Sequence, residues 1–431
     1  MAWPVVIERL SVSVLTAVDA ALVGRYVGGD GLAAVGIGSL LFWIPLAGAF
    51  AIDVGSTAIM ARDAGAGDRS RAQAGLHTAI VSAFVWGVFC AAVVFALAPQ
   101  LIRAMGAEPE VVPHGVDFLR AGCLGFPMLM VLYAISGSLR GMGNTWMPMV
   151  ILIIVNLINA GLTLVLINGS VADLGTQASG IGYAAGGTAG GVLALALVAS
   201  PIAPVRMDVR RLFAIGGDAF SRLMRIGLPV GLQEAQFMMA FLVYTRIVAT
   251  LGTEQLAAHS LALRSLEIAI LPAFALETAS TALVSRSLGA RDPERAEHIA
   301  VRTTMIAVSV LTAMAILQFI LAPYLVQLFV DDPEVQDTGT RLLRVFAFAI
   351  PALGIHAPLS GALRGAGDAP FVLATATATT WGVRVPVAVL TALVLGLSVP
   401  FVWTAALSEN WVRAALVSRR FRQGKWKTKR I

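Results

Sequence analysis

The heptapeptide GSLRGMG at 137–143 returns as GALRGAG at 361–367, 224 residues later. The same interval separates Arg62 from Arg286, Gly65 from Gly289, Asp68 from Asp292, Arg71 from Arg295 and Asp53 from Glu277. It carries AFAIDVGSTA (49–58) to AFALETASTA (273–282), LAAV (32–35) to LAAH (256–259), and Pro99, Pro109 and Pro127 to Pro323, Pro333 and Pro351. Unrelated motifs kept in one register mean an internal duplication. Any fold for this chain must therefore be built from two copies of one unit.

The unit is apolar. Of the 431 residues, 58% are hydrophobic and 13% charged, and the mean hydropathy is +0.82. A water-soluble domain carries roughly a quarter charged residues, so a soluble fold is excluded. A helix needs about 20 apolar residues to cross the hydrocarbon core of a bilayer. Segments that meet the need fall at 3–26, 33–60, 77–98, 114–138, 145–167 and 177–202, then at 226–250, 256–283, 298–322, 340–362, 370–394 and 398–418. The expected fold is an all-α polytopic membrane protein of twelve transmembrane helices in two six-helix lobes. Six is even, so both copies enter the membrane in the same direction, giving parallel pseudo-symmetric lobes whose seam can hold a cavity. The sequence predicts an amino-terminal lobe at 1–205, a linker at 206–225, a carboxy-terminal lobe at 226–418 and a basic tail at 419–431.

Basic residues fix an expected orientation. Alternate connections at 62–71, 140, 206–225, 286–295 and 364, with the tail 419–430, hold 20 Lys and Arg, whereas the opposing connections hold little beyond Arg103. Cytoplasmic loops carry such an excess, so both termini are expected in the cytoplasm, with the chain in the cell's inner (plasma) membrane. The tail RRFRQGKWKTKR reads as an anchor on an anionic membrane surface. Cys90 and Cys123 lie in apolar runs and read as packing residues. No basic leader precedes the first span, so no cleavable signal peptide is expected.

The chain resembles the multidrug and toxic compound extrusion family over essentially its whole length. The resemblance rests on Pro4 followed by Asp19 in TAVDAALVGRYVG, on LAAVG, on the paired loop segments and twin GxLRGxG motifs, and on RVPVAVL (384–390) and the terminal GKW (424–426). The intramembrane carboxylate in the first span looks like the DinF-like branch. The resemblance implies export of organic, often cationic, compounds in exchange for protons or sodium ions. It also implies that bending of the first helix at Pro4 takes part, and that Asn159 occupies a position near an amino-lobe cation site. Two departures matter. Thr163 stands where the family often has Asp, and Leu353 stands at its acidic position in span ten, which argues against a multi-carboxylate sodium site.

The residues give their own candidates. An unpaired carboxylate inside an apolar span is costly and tends to take up a proton, so Asp19 is the candidate proton-coupling residue. Pro4 can interrupt the helix ladder below it. Asn156 and Asn159 in span five are candidates to donate hydrogen bonds to Asp19 or to orient water, with Thr163 and Thr188 as supporting hydroxyls facing the lobe interior. In the second half, Gln233, Glu234, Gln236, Phe237, Met238, Met239 and Phe241 are candidates for the cargo cavity, a polar patch beside an adaptable apolar wall. His356 is a further cavity candidate, with neutral packing as its simpler reading. Asp53 and Glu277 are expected to stabilise the inner ends of their helices, Arg140 and Arg364 to lie at the gate surface, and Arg264 to pair with Glu267 one helical turn on.

These features favour a proton-coupled antiporter for amphiphilic organic cations, with no cofactor, no metal, no nucleic acid and no obligate protein partner, and with a monomer sufficient. Sodium coupling is the nearest variant. A flippase for a lipid-linked substrate would use the same seam but calls for more cavity-facing Arg than the first half has. A membrane-embedded enzyme would need a compact polar or metal-binding cluster, and a purely structural role leaves Asp19 unused. No GxxxxGK[ST] phosphate loop links the chain to ATP hydrolysis.

Overall fold

The computed structural model describes residues 2–168, 174–208, 216–328, 330 and 332–429, with the side chains of residues 2, 265, 267 and 268 left out. The proposed Arg264–Glu267 pairing and part of the 206–225 linker therefore lie outside the described residues. The first half comprises α1 (Ala2–Tyr26), α2 (Gly29–Gly65), α3 (Arg69–Ala104), α4 (Val111–Cys123), α5 (Phe126–Gly141), α6 (Trp146–Ile167) and α7 (Thr176–Ala199). The second comprises α8 (Gly217–Ala249), α9 (Thr253–Gly289), α10 (Pro293–Gln327), α11 (Pro333–Ala347), α12 (Ile350–Gly365), α13 (Ala369–Thr379), α14 (Val385–Val389) and α15 (Val399–Arg422).

The duplication is legible in the helix ends: α2 and α9, and α5 and α12, start and stop 224 residues apart. Asp68 caps α3 by accepting a hydrogen bond from the Arg71 amide, and Asp292 caps α10 through Arg295, each at 2.9 Å. A side-chain acceptor at this place satisfies an amide that the helix itself cannot. The closing glycines of the twin motifs, Gly143 and Gly367, hold φ of 94° and 90°, a left-handed turn that favours glycine.

Among the described residues, seven helices are individually long and apolar enough to cross a membrane, and three bent pairs, one of them the two parts of α9 on either side of residues 265–268, bring the spans to ten. The fourth span of each half is such a pair: α4 and α5 meet at 52°, α11 and α12 at 46°. The expected spans at 114–138 and 340–362 are each formed by such a pair. The remaining two of the twelve, α1 and α15, carry the intramembrane charges Glu8, Arg9, Asp19, Glu409 and Arg413. Span eleven also departs from a plain helix. Its segments Thr380–Arg384 and Leu390–Val394 on either side of α14 are π-helical, whereas α6, its counterpart, is α-helical throughout. Such wide turns often mark functional places in a helix.

Two compact units result, Trp3–Gly231 and Leu232–Ile431. The division falls within α8, so the opening turns of that helix pack with the first unit. Arg222 on α8 donates to both carboxylate oxygens of Asp63 on α2, at 3.2 and 2.6 Å, and Gly227 lies against the Ala51 backbone. In the second unit, α15 runs into a short turn at Lys425–Thr428 that buries Trp426 against Val284, Leu363 and Phe421.

Candidate functional site: the polar interior of each lobe

Both units hold a buried arginine at the same place. In the first, Arg140 at the end of α5 donates through Nη2 to Asp53 Oδ1 at 2.7 Å and through Nη1 to both oxygens of Glu8 at 3.1 and 3.0 Å. In the second, Arg364 pairs with Glu277 and donates through Nη2 to Gln233 Oε1 at 3.0 Å. Arg140 and Arg364 are therefore buried lynchpins, not gate-surface residues. A guanidinium offers five donors in a fixed fork and stays charged, so it can bridge two acceptors from two helices. Close packing brings them together. A Cβ on Gly137 would lie 2.3 Å from the Asp53 carbonyl oxygen, and one on Gly361 would lie 2.2 Å from that of Glu277. The hydroxyls of Thr57 and Thr281 complete each contact by donating to the carbonyls of Gly137 and Gly361, both at 3.0 Å.

Asp19 sits half-buried on α1. Ser179 on α7 donates to its Oδ2 at 2.6 Å, and its Oδ1 is enclosed with no hydrogen-bond partner among the described residues. The candidate asparagine donors go elsewhere. Asn156 Nδ2 donates to Ser11 Oγ on α1 at 2.9 Å, and Asn159 Oδ1 accepts from Thr163 at 3.3 Å. Gly182 accounts for Asn159: with no side chain there, Thr163 and Asn159 pack closely against α7, whereas Asn156 meets α1 at Ser11 rather than at Asp19. Thr188 is exposed, on the side of α7 away from the glycines that pack against α5 and α6. Pro4 lies in the first turn of α1, which runs as one α-helix from Ala2 to Tyr26. Amides there have no intrahelical acceptor, so proline breaks nothing.

In the second unit, Gln233 joins the Arg364 cradle and Gln236 accepts from Thr377 at 2.7 Å. Glu234, Met238 and Phe241 are half-buried, whereas Phe237 and Met239 are exposed. His356 is buried with Nε2 2.9 Å from Asn410 Oδ1, the packing arrangement. A second buried cluster forms around Glu409 on α15. It pairs with Arg413 and accepts from Thr380 at 2.7 Å, and Arg384 stands 3.5 Å away. The π-helical turn at Thr380–Arg384 places those two residues on Glu409.

The tail also contacts its own lobe: Lys427 pairs with Glu297, and Arg420 and Lys429 both pair with Asp368. Sequence reasoning missed Glu8, Ser11, Ser179 and Glu409. The one available signal was the carboxylates of Glu8 and Glu409 within apolar spans.

Comparison with known proteins gives the same picture. The MatE family model matches residues 4–165 and again 229–390. The uncharacterized transporter YisQ of Bacillus subtilis is 23% identical over 99% of this chain and 94% of its own length. The multidrug resistance protein PmpM of Pseudomonas aeruginosa is 26% identical over 90% of this chain and 82% of its own. A MOP superfamily transporter from Pyrococcus furiosus shares the fold with a TM-score of 0.92 at 21% identity, over 100% of this chain and 96% of that one. The Vibrio cholerae MATE transporter VcmN in its bent form gives 0.90 at 20% identity, over 100% and 97%. The duplicated match across most of the sequence establishes that this chain belongs to the MatE family of multidrug and toxic compound extrusion transporters, which are not enzymes.

Proposed function

We propose that the chain exports amphiphilic organic cations in exchange for protons, with Asp19 as the proton-coupling carboxylate. The observation that carries this reading is the asymmetry at Asp19. One oxygen is held by Ser179 while the other is enclosed with no donor among the described residues. A carboxylate charge enclosed in an apolar span is costly, and a proton added at Oδ1 removes that charge, and with it the attraction for a cationic cargo. Proton and cargo then oppose each other, and linkage makes that opposition reciprocal. PmpM, described as a multidrug resistance protein, supports the cargo class. In this reading the protein lies in the plasma membrane with both termini cytoplasmic and works as a monomer. The DinF-like branch fits the position of Asp19, and Thr163 and Leu353 argue for protons over sodium.

The test is flux of a fluorescent organic cation in proteoliposomes under separately imposed proton and sodium gradients. Proton-driven accumulation that disappears in Asp19→Asn is expected. Sodium-driven flux, or proton-driven flux unchanged in the variant, contradicts the assignment.

A further inference from the structure

Glu8, Ser11 and Asp19 lie three and eight residues apart on α1, spacings that put them on one side of the helix. Each meets a different helix: Glu8 meets Arg140 on α5, Ser11 meets Asn156 on α6, and Asp19 meets Ser179 on α7. α1 lies apart from the tightly packed helix pairs of its lobe. Its hydrogen-bonded attachments along this side run through these three polar side chains, two of which are carboxylates.

The duplication supplies an internal comparison for Glu8. Across the first span of each half the interval is 225 residues, so Pro4 matches Pro229 and Glu8 matches Gln233. Both cradles keep an arginine from the fourth span and an acid from the second: Arg140 with Asp53, Arg364 with Glu277. They differ in what the first span brings. One lobe brings a carboxylate and the other an amide, and both accept from the arginine at about the same distance, 3.0 Å. Glutamine has the shape and neutrality of a protonated glutamate. A cradle of this build therefore forms with a neutral group in that place. Around Glu8 the other charged or titratable groups are Arg140 and Tyr133 on α5, Asp53 on α2 and Arg9 on α1, while α6 contributes the neutral Asn156 through Ser11.

We propose that Glu8 is a second proton-carrying carboxylate of the amino lobe, on the same side of α1 as Asp19 and toward its inner end. This deepens the proton-exchange reading and rests on it. The step is a simple proton transfer. One Glu8 oxygen gains a proton and becomes a hydroxyl donor, the other remains an acceptor for Arg140 Nη1, and the Arg140–Asp53 pair persists. Eleven residues at 1.5 Å each put the two carboxylates roughly 16 Å apart along the helix, so they load and unload at different depths.

Infrared difference spectra on acidification of the purified protein in detergent test this directly. Wild type, Asp19→Asn, Glu8→Gln and the double variant are compared. A protonated-carboxyl component should survive in Asp19→Asn and be lost in the double variant, and Glu8→Gln alone should lose that component while keeping the one assigned to Asp19. A double variant whose spectrum matches that of Asp19→Asn overturns the proposal. So does a Glu8→Gln protein that fails to fold, since the argument requires the cradle to accept an amide. Failure of the Asp19 reading looks different: Asp19→Asn then matches wild type while Glu8→Gln still loses its component.

Discussion

Arg140 shows what one residue must supply in a membrane interior. It is buried, and its two acidic partners, Glu8 and Asp53, are buried with it. Taking such charges out of water costs several kcal/mol per ion, and removing the arginine leaves both carboxylates uncompensated at a cost of roughly 3–5 kcal/mol. Arg140→Gln should therefore lower thermal stability in detergent sharply. Arg140→Lys should restore only part of it, because a single ammonium cannot reproduce the fork that meets two carboxylates. Thermal unfolding followed by size-exclusion chromatography checks both, and an Arg140→Gln protein as stable as wild type would contradict this account of the cradle.

At the scale of the element, the GxLRGxG motif is the seam where a broken fourth span presses on the second span of its own lobe. Gly137→Ala and Gly361→Ala would each drive a methyl into a backbone carbonyl that cannot rotate away. Overpacking of this kind costs typically about 1–3 kcal/mol, so both variants should unfold at lower temperature and by similar amounts. A loss confined to one lobe would contradict the equivalence of the two seams. The elements themselves were legible in the sequence, because apolar runs of membrane length and a fixed repeat interval do not depend on how any helix is rotated. Partners were not legible, because they depend on that rotation. Asn156 and Asn159 were candidate donors to Asp19, yet α6 turns them toward Ser11 and Thr163. Ser179 supplies the actual donor, and in a run of glycines and small residues it reads as ordinary helix packing. Glu8 next to Arg9 is a neutral dipeptide and draws no notice in a count of loop charges.

At the scale of the whole molecule, the chain that follows each sixth span returns to its own lobe. Behind α7, the Arg206 carbonyl accepts from Gln73 and the Asp208 amide donates to His77. Behind α15, Trp426 fills the core and Lys427 and Lys429 reach Glu297 and Asp368. Trp426→Ala should cost about 3–5 kcal/mol as a large-to-small change in a packed core, read as a lower unfolding temperature. An unchanged unfolding temperature would show that the tail does not clamp the lobe. The central claim is that one charge on Asp19 is exchanged between proton and cargo. Its most direct measurement is proton release on adding an organic cation to purified protein in weakly buffered detergent, followed with a pH indicator. The account predicts release that saturates with cargo binding in wild type and is absent in Asp19→Asn. Cargo binding without proton release in wild type, or equal release in the variant, would contradict it.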